Sequence, residues 1–235
     1  MKTFIFDLDD TLYDVSTPYF KSLESEGIII DEKIKKDLFI VSRHYSDVYY
    51  DKEKAGEINT KEMYVLRVKQ ALSDFSIYVD DDKAYAIHLN YLYQQKSIAL
   101  TEEMKALLSF LKEKSTLAVV TNGPSQHQWG KIKQLNLQQF FDVDKIVVSD
   151  DVCCRKPDEK IFNIIAQRCN SSVEDCYFVG DSYNCDIVGS KNAHMKAIWY
   201  NHRQRSFEDN IADFTVDSFS QLDKLLRESV EGVSG

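Results

Sequence analysis

Thr3-Phe4-Ile5-Phe6-Asp7-Leu8-Asp9-Asp10-Thr11-Leu12 is the stretch on which the fold turns. Residues 3–8 are a short apolar run that meets acids at its end, which reads as a buried strand. A single strand cannot bury itself, so it must join a sheet made elsewhere in the chain. Runs of the same kind return only after Ser97: Leu117-Ala118-Val119-Val120, Ile146-Val147-Val148, Cys176-Tyr177-Phe178-Val179, Ala197–Tyr200 and Phe214–Val216. Helical patterns separate them. Met104, Leu107, Leu108 and Leu111 lie on one face behind a Thr101 cap. Pro124 opens a helix to about Asn136, and Ile161, Phe162 and Ile165 mark one from Asp158 to Cys169. A short helix precedes Ala197, and Phe219, Leu222, Leu225 and Leu226 close the chain with another, before a frayed tail at Glu231–Gly235. Strands alternating with helices at this spacing imply right-handed crossovers and a parallel sheet covered on both faces. The fold class expected is α/β, a doubly wound Rossmann-like parallel sheet.

The block from Ser16 to Gln95 is different. Ile34, Leu38, Val41, Tyr45 and Val48 recur at helical spacing, as do Val65, Val68 and Leu72, and then Tyr85, Leu89 and Leu92. No strand-like alternation interrupts them, and breaks fall near Ile28–Asp31, Lys54–Asn59 and Ser76–Asp81. A four-helix cap inserted after the first strand follows. The expected division is an α/β core at residues 1–15 and 97–235, with a helical cap at 16–96.

Composition narrows the function classes. The 235 residues carry 29 Lys+Arg against 38 Asp+Glu, a net charge of −9. That balance excludes a generic binder of nucleic-acid polymers and a peripheral binder of anionic lipid. With 43% hydrophobic residues the chain can bury a core. No apolar run approaches the ~20 residues of a membrane span. The apolar N-terminal stretch meets Asp7 too soon for a signal peptide. Five cysteines without a Cys-x-x-Cys read as reduced thiols, and a cytoplasmic location is expected.

Ligands of open α/β sheets bind beyond the carboxyl ends of the strands. The first strand ends at Asp7-Leu8-Asp9-Asp10-Thr11, and the second core strand at Thr121-Asn122-Gly123. Arg155-Lys156-Pro157-Asp158 follows the third, and Gly180-Asp181-Ser182 ends the fourth, with Asp186 five residues on. Alone, each motif has a bland reading as a solvated turn or an ordinary helix entry. Their conjunction at successive strand ends brings acids, a hydroxyl and one lysine to a single edge.

With these motifs, and with Ile161-Phe162 and Gly180-Asp181-Ser182-Tyr183-Asn184-Cys185-Asp186-Ile187, the sequence resembles the haloacid dehalogenase superfamily of phosphohydrolases over nearly its whole length. The resemblance implies that Asp7 attacks phosphorus to form an aspartyl phosphate. Asp9 then serves as general acid and base. Asp7, Asp181 and Asp186, with the backbone carbonyl of Asp9, are the implied Mg²⁺ site. Thr121 donates its hydroxyl to a phosphoryl oxygen, and the Asn122 and Gly123 amides lie at a helix start suited to an anion. Lys156 holds Asp7 and the transferring group. With Mg²⁺ and Lys156 counted against four carboxylates, the site carries −1, or is near neutral when Asp9 is protonated.

Asp9 argues against dehalogenation, which has no leaving alkoxide to protonate. Asp186-Ile187-Val188-Gly189-Ser190-Lys191-Asn192-Ala193-His194-Met195 resembles the branch holding pyrimidine and other nucleoside 5′-monophosphate nucleotidases. His194 stands where that branch usually has Gly, so it is read as a left-handed turn residue. The usual Pro-Gly helix entry is replaced by Ala99-Leu100-Thr101. Tyr13 beside the phosphate, and Tyr49 in the cap group Arg43, His44, Tyr45, Tyr49 and Tyr50, are candidate substrate contacts, set against a role for the tyrosines in covering the cap core. The expected partner is a small phosphate ester and the assembly a monomer or homodimer. Rival readings are a sugar-phosphate phosphatase or mutase, a phosphonate hydrolase using Lys52, Lys54, Lys61 or Lys69, and a catalytically silent phosphate-binding protein. A receiver-type signalling domain fits poorly, because its phosphorylated Asp lies on a middle strand.

Overall fold

The structure, a computed structural model, describes residues 1–232. Residues 233–235 of the expected tail lie outside the described residues. Two compact units are formed: Met1–Asp14 with the chain from Ile98 onward, and Val15–Ser97.

The first unit is built on six strands: β1 (Thr3–Phe6), β2 (Thr116–Thr121), β3 (Ile146–Val148), β4 (Cys176–Gly180), β5 (Lys196–Tyr200) and β6 (Phe214–Val216). They form one sheet in the order β3-β2-β1-β4-β5-β6 with every neighbouring pair parallel. Thr3 pairs in register with Thr116 on one side and Cys176 on the other, which makes β1 a central strand. Thr3, Phe4, Ile5 and Phe6 are all fully buried, as the unbroken apolar run requires.

Six helices belong to the same unit: α5 (Glu102–Lys112), α6 (Ser125–Gln134), α7 (Ser149–Val152), α8 (Glu159–Arg168), α9 (Val188–Asn192) and α10 (Phe219–Glu231). Alternation along the strands feeds two cores. Ile5, Ala118, Val120, Val147 and Phe178 pack with Ile161, Phe162 and Ile165 of α8. Phe4 and Phe6 point to the other face, where Phe6 meets Phe141 edge-on at 6.2 Å and Phe4 meets Tyr177 at 5.3 Å. Thr101 caps α5 by accepting the Met104 N–H, at 3.2 Å. The α6 helix stops at Gln134, two residues short of expectation, because Asn136 turns left-handed at φ 54°. His194 is left-handed at φ 62°, as its place in the turn before β5 predicts. The one-turn α7 has no periodicity to announce it. The last helix runs through Glu231, where a frayed tail was expected to begin.

The second unit consists of α1 (Ser16–Ser25), α2 (Glu32–Lys54), α3 (Thr60–Ser73) and α4 (Asp81–Gln94), separated where the sequence breaks. Asp31, Asn59 and Asp80 cap three of them through side-chain oxygens, Asn59 in a capping box with Glu62. Contacts run α1–α4, α3–α4 and α2–α3. None of the helices among the described residues is long and apolar enough to cross a membrane.

Candidate active site

The loop leaving β1 is tightly held. The Asp7 N–H donates to the Val179 carbonyl at 2.9 Å, and Leu12 N–H donates to Leu8 O at 3.1 Å. Asp10 takes φ 64°, a left-handed conformation that a side chain of this kind adopts at some cost. Arg203 grips its carboxylate from below β5 through Nε at 3.0 Å and Nη2 at 2.7 Å, and also meets Asp14 at 2.5 Å. His202 Nε2 lies 2.9 Å from the Asp10 carbonyl. The turn that aims Asp7 and Asp9 is thus fixed by residues almost two hundred positions later.

Lys156 Nζ lies 2.5 Å from Asp7 Oδ1 and 2.6 Å from Asp186 Oδ1. The Asn122 side chain sets its backbone, accepting the Lys156 N–H and donating to the Lys156 carbonyl, both at 2.9 Å. Burial works against the Lys156 ammonium, yet Asp186 and Asp7 outweigh it and hold its basicity above the ordinary lysine range. Burial pushes the Asp7 carboxyl up to about 7, with Asp186 and Asp9 adding to the effect and Lys156 opposing it. Burial likewise pushes Asp181 well above the usual carboxylate range, helped by Asp10 and Asp186. Asp181 is reached by one guanidinium, Arg205 Nη2 at 3.4 Å from Oδ2.

Asp7, Asp181 and Asp186 offer carboxylate oxygens all within 4.8 Å of one another. Three hard oxygen donors, buried together and with Asp7 and Asp181 resisting ionisation, fit a small divalent cation such as Mg²⁺. The Asp9 carboxylate stands apart from this group. Lys131 Nζ holds both its oxygens, at 2.8 and 2.7 Å, and the Tyr13 hydroxyl donates to Oδ1 at 2.5 Å.

Thr121 ends β2 with its side chain buried. Gln128 Nε2 donates to Thr121 Oγ1 and to the Asn122 carbonyl, both at 2.6 Å, and reaches Asp9 Oδ2 at 3.3 Å. Because Thr121 Oγ1 accepts there, its own hydrogen is left to donate. The Gly123 N–H, expected at an anion site, donates to Ser149 Oγ at 3.0 Å instead. Tyr13 is 6% exposed with its hydroxyl on Asp9, so it supports the acid rather than lining an open site. In the helical unit, Tyr49 stacks on Tyr45 at 6.1 Å with Lys52 over its ring.

Lys131, Gln128, Arg203 and Arg205 are absent from the sequence-based site. Gln128 and Lys131 share a face of α6 three residues apart, and only their burial, at 1% and 6% exposure, sets them apart from other polar helix positions.

The haloacid dehalogenase-like hydrolase family matches the chain over residues 1–194. A glyceraldehyde 3-phosphate phosphatase of Methanothermobacter thermautotrophicus is 31% identical over 248 residues, covering 96% of this chain and 100% of the relative. A pyrimidine 5′-nucleotidase of Streptococcus pneumoniae, PynA, is 26% identical over 230 residues, covering 94% and 93%. Among solved structures, the HAD-hydrolase YfnB of Bacillus subtilis, bound to magnesium, aligns with a TM-score of 0.70 at 23% identity, covering 96% of this chain and 98% of that one. With the parallel sheet, the acids at its strand ends and these likenesses agreeing, the chain is an enzyme of the haloacid dehalogenase-like hydrolase family.

Proposed function

We propose that this enzyme hydrolyses phosphate monoesters of small metabolites through an aspartyl phosphate on Asp7. The observation that carries the reading is Asp7 at the exit of a central strand, ion-paired to Lys156 and within 4.8 Å of Asp181 and Asp186. Lys156 and the Thr121 hydroxyl hold the phosphoryl oxygens. Asp7 attacks phosphorus as the bond to the ester oxygen breaks, and that oxygen takes a proton from Asp9. In the second half, Asp9 takes a proton from water, the water oxygen bonds to phosphorus, and the Asp7–phosphorus bond breaks to release inorganic phosphate. Mg²⁺ bound by Asp7, Asp181, Asp186 and the Asp9 carbonyl would supply neutralisation of the phosphoryl charge.

For the substrate, the resemblance to nucleotidases favours a nucleoside 5′-monophosphate. A sugar or triose phosphate is the second reading, favoured by the relative 31% identical across 96% of the chain. A phosphonate hydrolase needs a lysine shielded enough to form a Schiff base. Lys52, Lys54 and Lys61 are exposed, and Lys69 is paired with Asp81 at 2.5 Å.

Asp7→Asn is expected to abolish Mg²⁺-dependent phosphate release while leaving the circular-dichroism spectrum intact; ordinary turnover by that variant removes Asp7 as nucleophile. Comparing uridine and thymidine monophosphates with glyceraldehyde 3-phosphate and hexose phosphates, in wild type and Tyr49→Ala, assigns the substrate class. Unchanged relative rates in that variant remove Tyr49 from recognition.

A further inference from the structure

The Gln128 side chain is buried on α6, and its amide is used unevenly. A primary amide has two hydrogens to give and one oxygen to receive. Here the giving end is crowded. Nε2 has three acceptors in reach: Thr121 Oγ1 and the Asn122 carbonyl, each at 2.6 Å, and Asp9 Oδ2 at 3.3 Å. The receiving end is empty: Oε1 is buried with no hydrogen-bond partner among the described residues. A buried carbonyl left unpaired costs about 1–3 kcal/mol, so this orientation of the amide needs a physical reason.

The Asn122 carbonyl supplies it. That oxygen can only accept. Turned over, the amide would set its own oxygen 2.6 Å from the Asn122 oxygen, with no hydrogen between them. The amide is therefore held as a donor, and Thr121 Oγ1, at the same distance, is left to accept from it. A hydroxyl has one hydrogen, and Gln128 cannot take it. No other group bonds Thr121 Oγ1 among the described residues. Gly123 makes the room for this arrangement. Its φ is 144°, and a Cβ there would come within 3.1 Å of Gln128 Cδ and Nε2.

We propose that Gln128 is a positioning residue for phosphoryl transfer: its amide makes the Thr121 oxygen an acceptor and so commits the Thr121 hydrogen to the phosphoryl oxygen. This rests on the reading of Thr121 as a phosphoryl-binding hydroxyl. Gln128 acts through Thr121, and the unpaired Oε1 is the cost of aiming it. A donor fixed in advance needs no reorganisation as charge develops on the transferring group. One turn along the same helix, Lys131 fixes Asp9. Helix α6 thus sets both the hydroxyl that holds the phosphoryl and the acid that serves the leaving oxygen.

A double-mutant cycle on kcat/KM for p-nitrophenyl phosphate tests it. The phenolate leaves without a proton, so the first half-reaction reads Thr121 rather than the Asp9 acid. Thr121→Val is expected to lower kcat/KM roughly 100-fold, as loss of one oriented donor does. Gln128→Met, which frees the hydroxyl to rotate, is expected to lower it roughly tenfold. Gln128→Glu puts an acceptor where the donor stood, draws the Thr121 hydrogen to itself, and is expected to lose about as much as Thr121→Val. Inhibition by inorganic phosphate should weaken in the same order. In the Thr121→Val background, Gln128→Met is expected to change kcat/KM by less than about twofold. The full tenfold loss in both backgrounds, or wild-type kcat/KM in Gln128→Met while Thr121→Val is impaired, overturns the proposal. Gln128→Glu, of the same shape, decides the matter should Gln128→Met fail to fold, since wild-type kcat/KM there overturns it too. Wild-type kcat/KM in Thr121→Val overturns the reading of Thr121 beneath it, a result distinct from failure of Gln128 alone.

Discussion

Lys131 Nζ lies 2.8 Å from one Asp9 carboxylate oxygen and 2.7 Å from the other, joining helix α6 to the loop after β1. Both side chains are nearly buried, at 7% and 12% exposure. With the Tyr13 hydroxyl on the same carboxylate, the Asp9 side chain is fixed in direction. Lys131→Met is therefore expected to lower kcat by roughly 10–100-fold, part of what a positioned acid–base contributes, with KM changed less than about threefold. Steady-state kinetics check this; an equal loss in KM with kcat preserved contradicts the positioning role.

The Arg203–Asp10 pair predicts a stability effect. Burial alone would raise the Asp10 carboxyl, but His202 and Arg203 outweigh it and hold it well below the usual range. A depressed acid contributes stability above its unfolded value of roughly 3.9, and that contribution is lost as pH falls below it. Arg203→Met takes the two-point guanidinium contact from the buried Asp10 and is expected to cost about 3 kcal/mol near neutral pH. Urea unfolding at neutral and at acid pH should show the wild type losing stability on acidification and the variant losing less.

Metal binding should stabilise the fold through Asp181. If the folded chain alone holds the cation at these acids, Mg²⁺ at a hundredfold excess over its Kd is expected to add about 2.7 kcal/mol to unfolding. A chelator should remove that gain and weaken phosphate binding. Asp181→Asn should lose most of the Mg²⁺-dependent rise in Tm; the same rise in the variant places the cation elsewhere.

Gly189 lies where the chain after β4 crosses the Lys156 loop. A Cβ there would sit 2.6 Å from Phe162 Cε2 and 2.9 Å from the Pro157 Cα, and the second of these is backbone that cannot step aside. Gly189→Ala is expected to cost about 1–3 kcal/mol and to lower kcat by displacing Lys156. Thermal unfolding together with kinetics checks both.

Thiol reactivity should follow burial. Burial pushes the Cys176 thiol up to about 12 and the Cys169 thiol up to about 11, while Cys153 is exposed. Mass spectrometry after mild alkylation is expected to find Cys153 labelled first and Cys169 and Cys176 unlabelled until the chain unfolds.

Strands β3 and β6 were legible to the residue and β4 and β5 to within one, because an apolar run with turn residues around it has few other uses; β1 stops at Phe6, short of the expected run over residues 3–8. The candidate acids Asp7 and Asp181 were legible because each directly follows such a strand. The supporting residues were not. Lys131 and Gln128 reach Asp9 across 122 and 119 residues, and Arg203 reaches Asp10 across 193. In the sequence they are ordinary polar positions on a helix and in a loop. The site tally of −1 set only Mg²⁺ and Lys156 against four carboxylates and left out Lys131 and Arg205, so the local charge near Asp9 and Asp181 came out too negative.

The sequence by itself determined the parallel α/β sheet, the helical insertion and the edge where Asp7, Asp9, Thr121, Lys156, Asp181 and Asp186 gather. Those follow from periodicity and from where strands end, both local properties of the chain. Only the tertiary structure decided which cation faces Asp7, Asp9, Asp10 and Asp181, and that the Gly123 N–H and the Tyr13 hydroxyl are already engaged. Ion pairing and burial depend on distances between residues far apart in the chain, and folding alone sets those distances.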